Sequence, residues 1–257
     1  MRFLRKRRRR ALESARLDAA ARTVVERNLV VYDQLSDDDL RELEGKILVL
    51  LAEKSFEGCG GLALADEHRV TVAAYGALLL LHRATDYYPH LDSILVYPSS
   101  FLAPVRHAVG EVAGIETDEE RVGESWSAGA LVVSWEDLLD DVADPDAGSN
   151  VMIHEFAHQL DEEESLGEGV PALAGAAHYR AWHEVFSREY EAHTAAVDRG
   201  QRTLLDEYAA ESPAEFFAVA SETFFLLPLD LRMRHPDLYR ELAAYYCQDP
   251  ASWPAGR

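Results

Sequence analysis

The run Val151-Met152-Ile153-His154-Glu155-Phe156-Ala157-His158-Gln159-Leu160-Asp161 sets two imidazoles and a carboxylate in the spacing H-E-x-x-H. Residues four apart lie one above the other on a helix, so His154 and His158 can hold one Zn²⁺ together. Glu155 follows one position on, about 100° round the helix, where it can reach a water on the open side of the metal. The chemistry suited to this arrangement is metal-dependent hydrolysis, above all of peptide bonds.

The surroundings agree with a helix. Val151, Ile153, Phe156, Ala157 and Leu160 give it an apolar face without Gly or Pro, and Ser149 and Asn150 before it are good N-caps. The plain alternative is a surface helix with two histidines and a solvated glutamate. A catalytic zinc site needs a third protein ligand, and downstream stand His178, His183, His193, His235 and several carboxylates. The segment from Pro213 to Phe225 is mostly apolar and yet carries Glu215 and Glu222, seven apart and on nearly the same face. A carboxylate in such a segment is costly unless it is paired or bound to a metal. Glu215 has a second explanation, because Ser212-Pro213-Ala214-Glu215 is also a capping box with proline at the first helical position. Spacing favours the two glutamates slightly over the histidines and does not choose between them. Asp161 and Glu222 are candidates for groups that orient a ligand histidine; Asp161 is equally a plain helix-end charge.

The segments HEFAHQLD, SPAEFFAVASETFF and YYCQDP, with FEGCGGLALADEHRVTVAAYGALLLL (56–81), ILVYPSSF (94–101) and GESWSAGALVVSWEDL (123–138), resemble the glucose-regulated zinc metallopeptidase family typified by Mlc titration factor A. The likeness covers most of residues 30–250. It implies an α+β, mostly helical, zincin-like metallopeptidase similar to gluzincins, with a small sheet whose edge strand lies beside the active-site helix. It implies Zn²⁺ as cofactor, with Glu215 as third metal ligand beside His154 and His158. The catalytic residues would be Glu155 as general base and Tyr208 as a group that polarises the substrate carbonyl. A peptide substrate, aminopeptidase-like activity and binding of a transcriptional repressor are further implications. The chain departs from the family's pattern between Ile115 and Val122, which lacks a histidine able to approach the metal, so self-inhibition of that kind is not expected. The competing reading is a non-catalytic binding protein that sequesters a transcription factor, with a structural or vestigial zinc site. The intact Glu155 speaks against it, because structural sites normally use four protein ligands and need no base.

The elements that must position these groups follow from periodicity. Residues 11–35 read as helical and then loose. Ser36 caps a helix to about Lys54, with Leu40, Leu43, Ile47, Leu50 and Leu51 at helical spacing. Gly58-Cys59-Gly60-Gly61 is a turn, not a phosphate loop, and a buried helix is expected from Asp66 to about Thr85. Residues 94–98 and 130–135 read as strands, 104–125 as irregular or strand-like, and 136–146 as a short helix and loop. A long helix is expected from Ala172 to about Arg199, and two more over 213–225 and 236–246.

At 257 residues and 48% hydrophobic content, the chain suits one large globular domain. The boundaries are expected at 1–29 for a basic arm and leading helix, 30–250 for the metallopeptidase domain and 251–257 for a tail. Net charge is −21, unevenly spread: residues 1–10 carry seven positive charges and no negative ones, leaving a body with 18 positive and 46 negative groups. An acidic body disfavours general nucleic-acid binding, because phosphate contacts need a positive surface. The basic arm suits contact with an anionic surface or acidic partner, but a solvated, mobile terminus is the simpler expectation. No secretion signal follows the basic start, and the apolar stretch from Val70 to Leu81 is too short to span a bilayer. With Cys59 and Cys247 the only cysteines, a reducing cytoplasm is the expected location.

Overall fold

A computed structural model describes residues 2–100, 129–163 and 167–254. In chain order these form α1 (Arg2–Glu13), α2 (Ala19–Asn28), α3 (Asp37–Glu53), β1 (Ser55–Gly58), α4 (Asp66–Leu78), β2 (Ser93–Tyr97), β3 (Ala130–Ser134), α5 (Trp135–Ala143), α6 (Val151–Asp161), α7 (Ala176–Asp198), α8 (Pro213–Leu226), α9 (Pro228–Arg234) and α10 (Pro236–Tyr246). The architecture is α+β and mostly helical. The expectations for 104–125, including the stretch without a histidine, lie outside the described residues.

The three strands form a parallel sheet in the order β1-β2-β3, with Ile94 opposite Phe56 and Leu131. Ile94, Val96, Leu131 and Val133 alternate inward and are buried. Strand β1 went unread because its four residues include Glu57 and Gly58 and carry no run of β-branched side chains.

Helix α3 begins at Ser36, whose hydroxyl and the Asp39 carboxylate form a reciprocal capping box. Its Leu43, Ile47 and Leu50 are buried against α1 and α4. Helix α4 stops at Leu78, short of the expected Thr85. The apolar run continues through Leu81 and remains buried, but the backbone tightens into three-residue turns and reaches positive φ at His82. Tertiary contacts hold that turn: Glu42 accepts the His82 N–H, and the His82 ring bridges Asp39 and the Cys247 carbonyl. Helix α7 starts at Ala176 rather than Ala172, because Gly175 before it sits at φ 86°.

The basic arm is not a mobile terminus. It is helix α1, packed on α3. Arg9 donates to both oxygens of Glu53 and to Asp86 and lies over the Tyr87 ring, while Arg5 adds a second contact to Glu53. Two carboxylates and an aromatic face far along the chain thus hold the arginines, which composition alone could not show.

Helix α6, which carries H-E-x-x-H, packs against α4, α5, α8 and β3. Its Phe156 fits over Gly76 of α4, where a Cβ would lie 2.7 Å from the ring. Among the described residues no helix is long and apolar enough to cross a membrane.

Candidate metal centre

The first turn of α6 is fastened by three acidic or amide side chains. Asn150 caps it by accepting the Ile153 N–H at 3.1 Å. Asp141, from α5, accepts the Val151 N–H at 2.7 Å. Glu222, from α8, accepts the Asn150 N–H at 2.6 Å. These groups satisfy donors that a helix start leaves open, and the negative charges lie at the positive end of its dipole. Burial, helped by the charge of Glu222, raises the Asp141 carboxyl to about 6 against the pull of the Val151 N–H. Asp141 escaped sequence reasoning because an acidic residue ten positions ahead of a helix has no local signature of capping it.

The other oxygen of Glu222 meets Nδ1 of His154 at 2.7 Å. A carboxylate can only accept, so Nδ1 carries a proton, and Nε2, aimed away from Glu222, is the nitrogen that would face a metal. That nitrogen is 3.1 Å from Nε2 of His158 and 3.0 Å from Oε2 of Glu215, and the third edge, His158 to Glu215, is 3.3 Å. Ligand atoms around a tetrahedral zinc with ~2.0–2.1 Å bonds stand ~3.3 Å apart. The triangle therefore has nearly the edges that such an ion requires, and its two nitrogens and one carboxylate oxygen are the donor types zinc takes. Among the described residues this is the one group of histidine, cysteine or acidic side chains able to hold a metal, and it has three members. Its side chains are 16–20% exposed, so one side of the triangle is open.

Glu215 could have been spent on capping. Its N–H does donate to Ser212 Oγ at 3.2 Å, but its carboxylate turns to the histidines instead of completing the box. The electrostatics of the cluster call for positive charge. Burial alone would lower the His154 imidazole, yet hydrogen bonds to Glu215 and Glu222 raise it to about 10. Burial alone would raise Glu215, yet the two histidines bring it down to about 2.

Glu155 is half-buried, and its charge is felt at both His154 and Tyr208. Tyr208 lies on the 3₁₀ turn Glu207–Ala210, with its ring 6.0 Å from that of His154. Burial and the charges of Glu215, Glu211 and Glu155 raise its hydroxyl, which keeps the proton on. Asp161 is fully buried and accepts the Gly169 N–H at 2.7 Å, holding the loop that follows α6. Of the histidines weighed as third ligand, His193 is buried beside Phe216 and His235 pairs with Glu189, and neither belongs to the cluster.

A family model described as glucose-regulated metallo-peptidase M90 matches residues 3–247. An uncharacterized protein of Synechocystis sp. is 40% identical over 224 residues, covering 86% of this chain and 81% of that protein. Mlc titration factor A of Yersinia enterocolitica is 30% identical over 235 residues, 87% of this chain and 84% of its own. Mlc titration factor A of Yersinia pestis shares 30% identity over the same length.

Proposed function

The chain belongs to the glucose-regulated metallo-peptidase family M90, and on that premise we propose that it is a zinc-dependent peptidase with His154, His158 and Glu215 as metal ligands and Glu155 as general base. The convergence of the three ligand atoms at 3.0–3.3 Å, with the carboxylate of Glu155 one residue along the same helix, carries this reading. Zinc held there would supply Lewis acidity and lower the pKa of a water toward ~7. Glu222 keeps the proton on His154 Nδ1 and so keeps Nε2 available. Glu155 takes the proton from the attacking water and returns it to the leaving amine. The Tyr208 hydroxyl donates a hydrogen bond to the oxyanion that develops on the scissile carbonyl, a role worth ~3 kcal/mol. Strand β3, which among the described residues pairs only with β2, offers its other edge to an extended peptide.

Two measurements test this. Metal analysis of purified protein gives about one zinc per chain; a folded, metal-free protein with full activity would sink the proposal. Glu155→Gln keeps the zinc and loses ~10²–10⁴ of peptide turnover, a loss typical of removing a positioned base. Terminal sequencing of the products assigns cleavage to chain ends, the aminopeptidase-like form, or to interior bonds.

A second role is favoured by the name of the Yersinia relatives, Mlc titration factor A. It is the binding of a transcriptional repressor, which the acidic body suits if the partner surface is basic. Capture of that repressor by the Glu155→Gln variant, with no cleavage, assigns binding and catalysis to separate surfaces. Loss of capture in that variant would tie both to one site.

A further inference from the structure

A cavity of about 250 Å³ has Phe216, the residue after Glu215, in its wall. Helix α7 supplies Glu189 and His193 to its wall, the segment before the 3₁₀ turn supplies Arg202, and the end of α9 supplies Arg234 and His235. Leu204, Leu205 and Phe216 give it an apolar floor.

Its polar groups are unevenly matched. His193 is only 7% exposed, and its Nε2 has no hydrogen-bond partner. A buried polar atom left unpaired costs about 1–3 kcal/mol, so a group in this state asks for a ligand. Arg202 is exposed at the rim and makes no ion pair among the described residues. Arg234 reaches Asp230 only at 3.7 Å on the helix surface, a contact of little energy. The one acid in the wall, Glu189, is already engaged by His235 at 2.9 Å and Arg188 at 3.1 Å. The nearby Asp206 carboxylate accepts the Tyr208 N–H. One guanidinium without an ion pair among the described residues, a second held only loosely by Asp230, and an orphaned imidazole nitrogen thus line one small cavity on a chain of net charge −21.

We propose that this cavity is a binding site for a compact phosphomonoester in its monoprotonated form. Arg202 and Arg234 contact its charged oxygens, its hydroxyl donates to His193 Nε2, and the Leu204, Leu205 and Phe216 side chains pack on its carbon portion. Guanidinium forks match phosphate oxygens in geometry as well as charge. The volume lies just below the usual range for small-molecule pockets, about 300–1,000 Å³, which limits the ligand to a small skeleton. Binding here needs neither metal nor peptidase activity, although Phe216 follows Glu215 in the chain and Leu205 leads into the turn that bears Tyr208.

Isothermal titration at constant ionic strength tests the proposal, with inorganic phosphate, glycerol 3-phosphate and succinate as probes on the full chain. Saturable one-to-one binding of both phosphates is expected, with Kd at or below ~1 mM. The double variant Arg202→Ala/Arg234→Ala changes only exposed side chains and should keep the wild-type circular dichroism while weakening phosphate at least ~10-fold. His193→Gln should weaken it as well, and Arg41→Ala on distant α3 should not. Absence of saturable phosphate heat up to ~10 mM overturns the site, as does unchanged affinity in the double variant. Preference for succinate over both phosphates overturns the ligand class.

Discussion

At the scale of single residues, the site depends on what one carboxylate does with its two oxygens. Glu222 holds the proton of His154 Nδ1 with one and the N–H of Asn150 with the other. It therefore sets both the tautomer of a proposed ligand and the start of the helix that presents it. Glu222→Gln keeps the size and one acceptor but removes the charge. Zinc affinity is expected to fall ~10–100-fold, measured by competition with a chromogenic chelator, while the fold persists. Equal affinity in both proteins would leave Glu222 a purely structural role. Glu215 illustrates how far residue-level reading goes. Its capping and ligand roles were indistinguishable along the chain, because Ser212 stands three residues before it in either case. Only the direction of its side chain, toward His154 and His158, separates them.

Among the elements, α6 and α8 must keep a fixed spacing, because the histidines ride on one and Glu215 on the other. The loop after α6 sets part of that spacing. Gly169 lies at φ 75°, takes the Asp161 carboxylate on its N–H and the Trp182 indole on its carbonyl, and faces the Pro213 backbone at the start of α8. A Cβ there would stand 2.3 Å from the Pro213 carbonyl oxygen, in a backbone conformation that also disfavours side chains. Gly169→Ala should cost ~2–4 kcal/mol in urea unfolding and weaken zinc binding with it. A stable variant with reduced zinc affinity would still support the spacing role, whereas a variant unchanged in both would refute it. Helix α1 is held electrostatically. Hydrogen bonds from Arg9, with those from Arg5, outweigh burial and bring Glu53 down to about 2. A carboxylate whose pKa falls on folding stabilises above its unfolded value, near 4.5, and that contribution fades as pH drops toward 2. Docking of α1 should thus weaken between about pH 4.5 and 2, by on the order of 1–2 kcal/mol after solvent screening. Proteolysis within residues 1–16 across this range reads it out, and Glu53→Gln should show the same susceptibility at pH 7.

For the whole molecule, the proposed zinc would offset part of the chain's negative charge. A net charge of −21 strains the compact state, and the carboxylates of Glu215 and Glu222 flank His154 where a cation would relieve it. Removing the metal with a chelator should lower Tm, by up to ~10 °C if free zinc had stood 1,000-fold above Kd, and added zinc should restore it. An unchanged Tm after verified removal would separate the metal from the stability of the fold.

Helical and strand periods at 37–53, 93–97, 130–134, 151–161 and 236–246 were legible along the chain, because each buries one face whose pattern local residues spell out. So was the approach of His154 and His158, since one helical turn brings their rings together without help from any other element. What tertiary structure alone decided is everything that joins distant segments: the stop of α4 at Leu78, the docking of the basic helix onto Glu53 and Asp86, Asp141 and Glu222 at the head of α6, and the turn of Glu215 toward the histidines. These contacts pair residues ten or more positions apart. Their energies depend on which surfaces the packed helices bring face to face, and that information exists only once the chain has closed on itself.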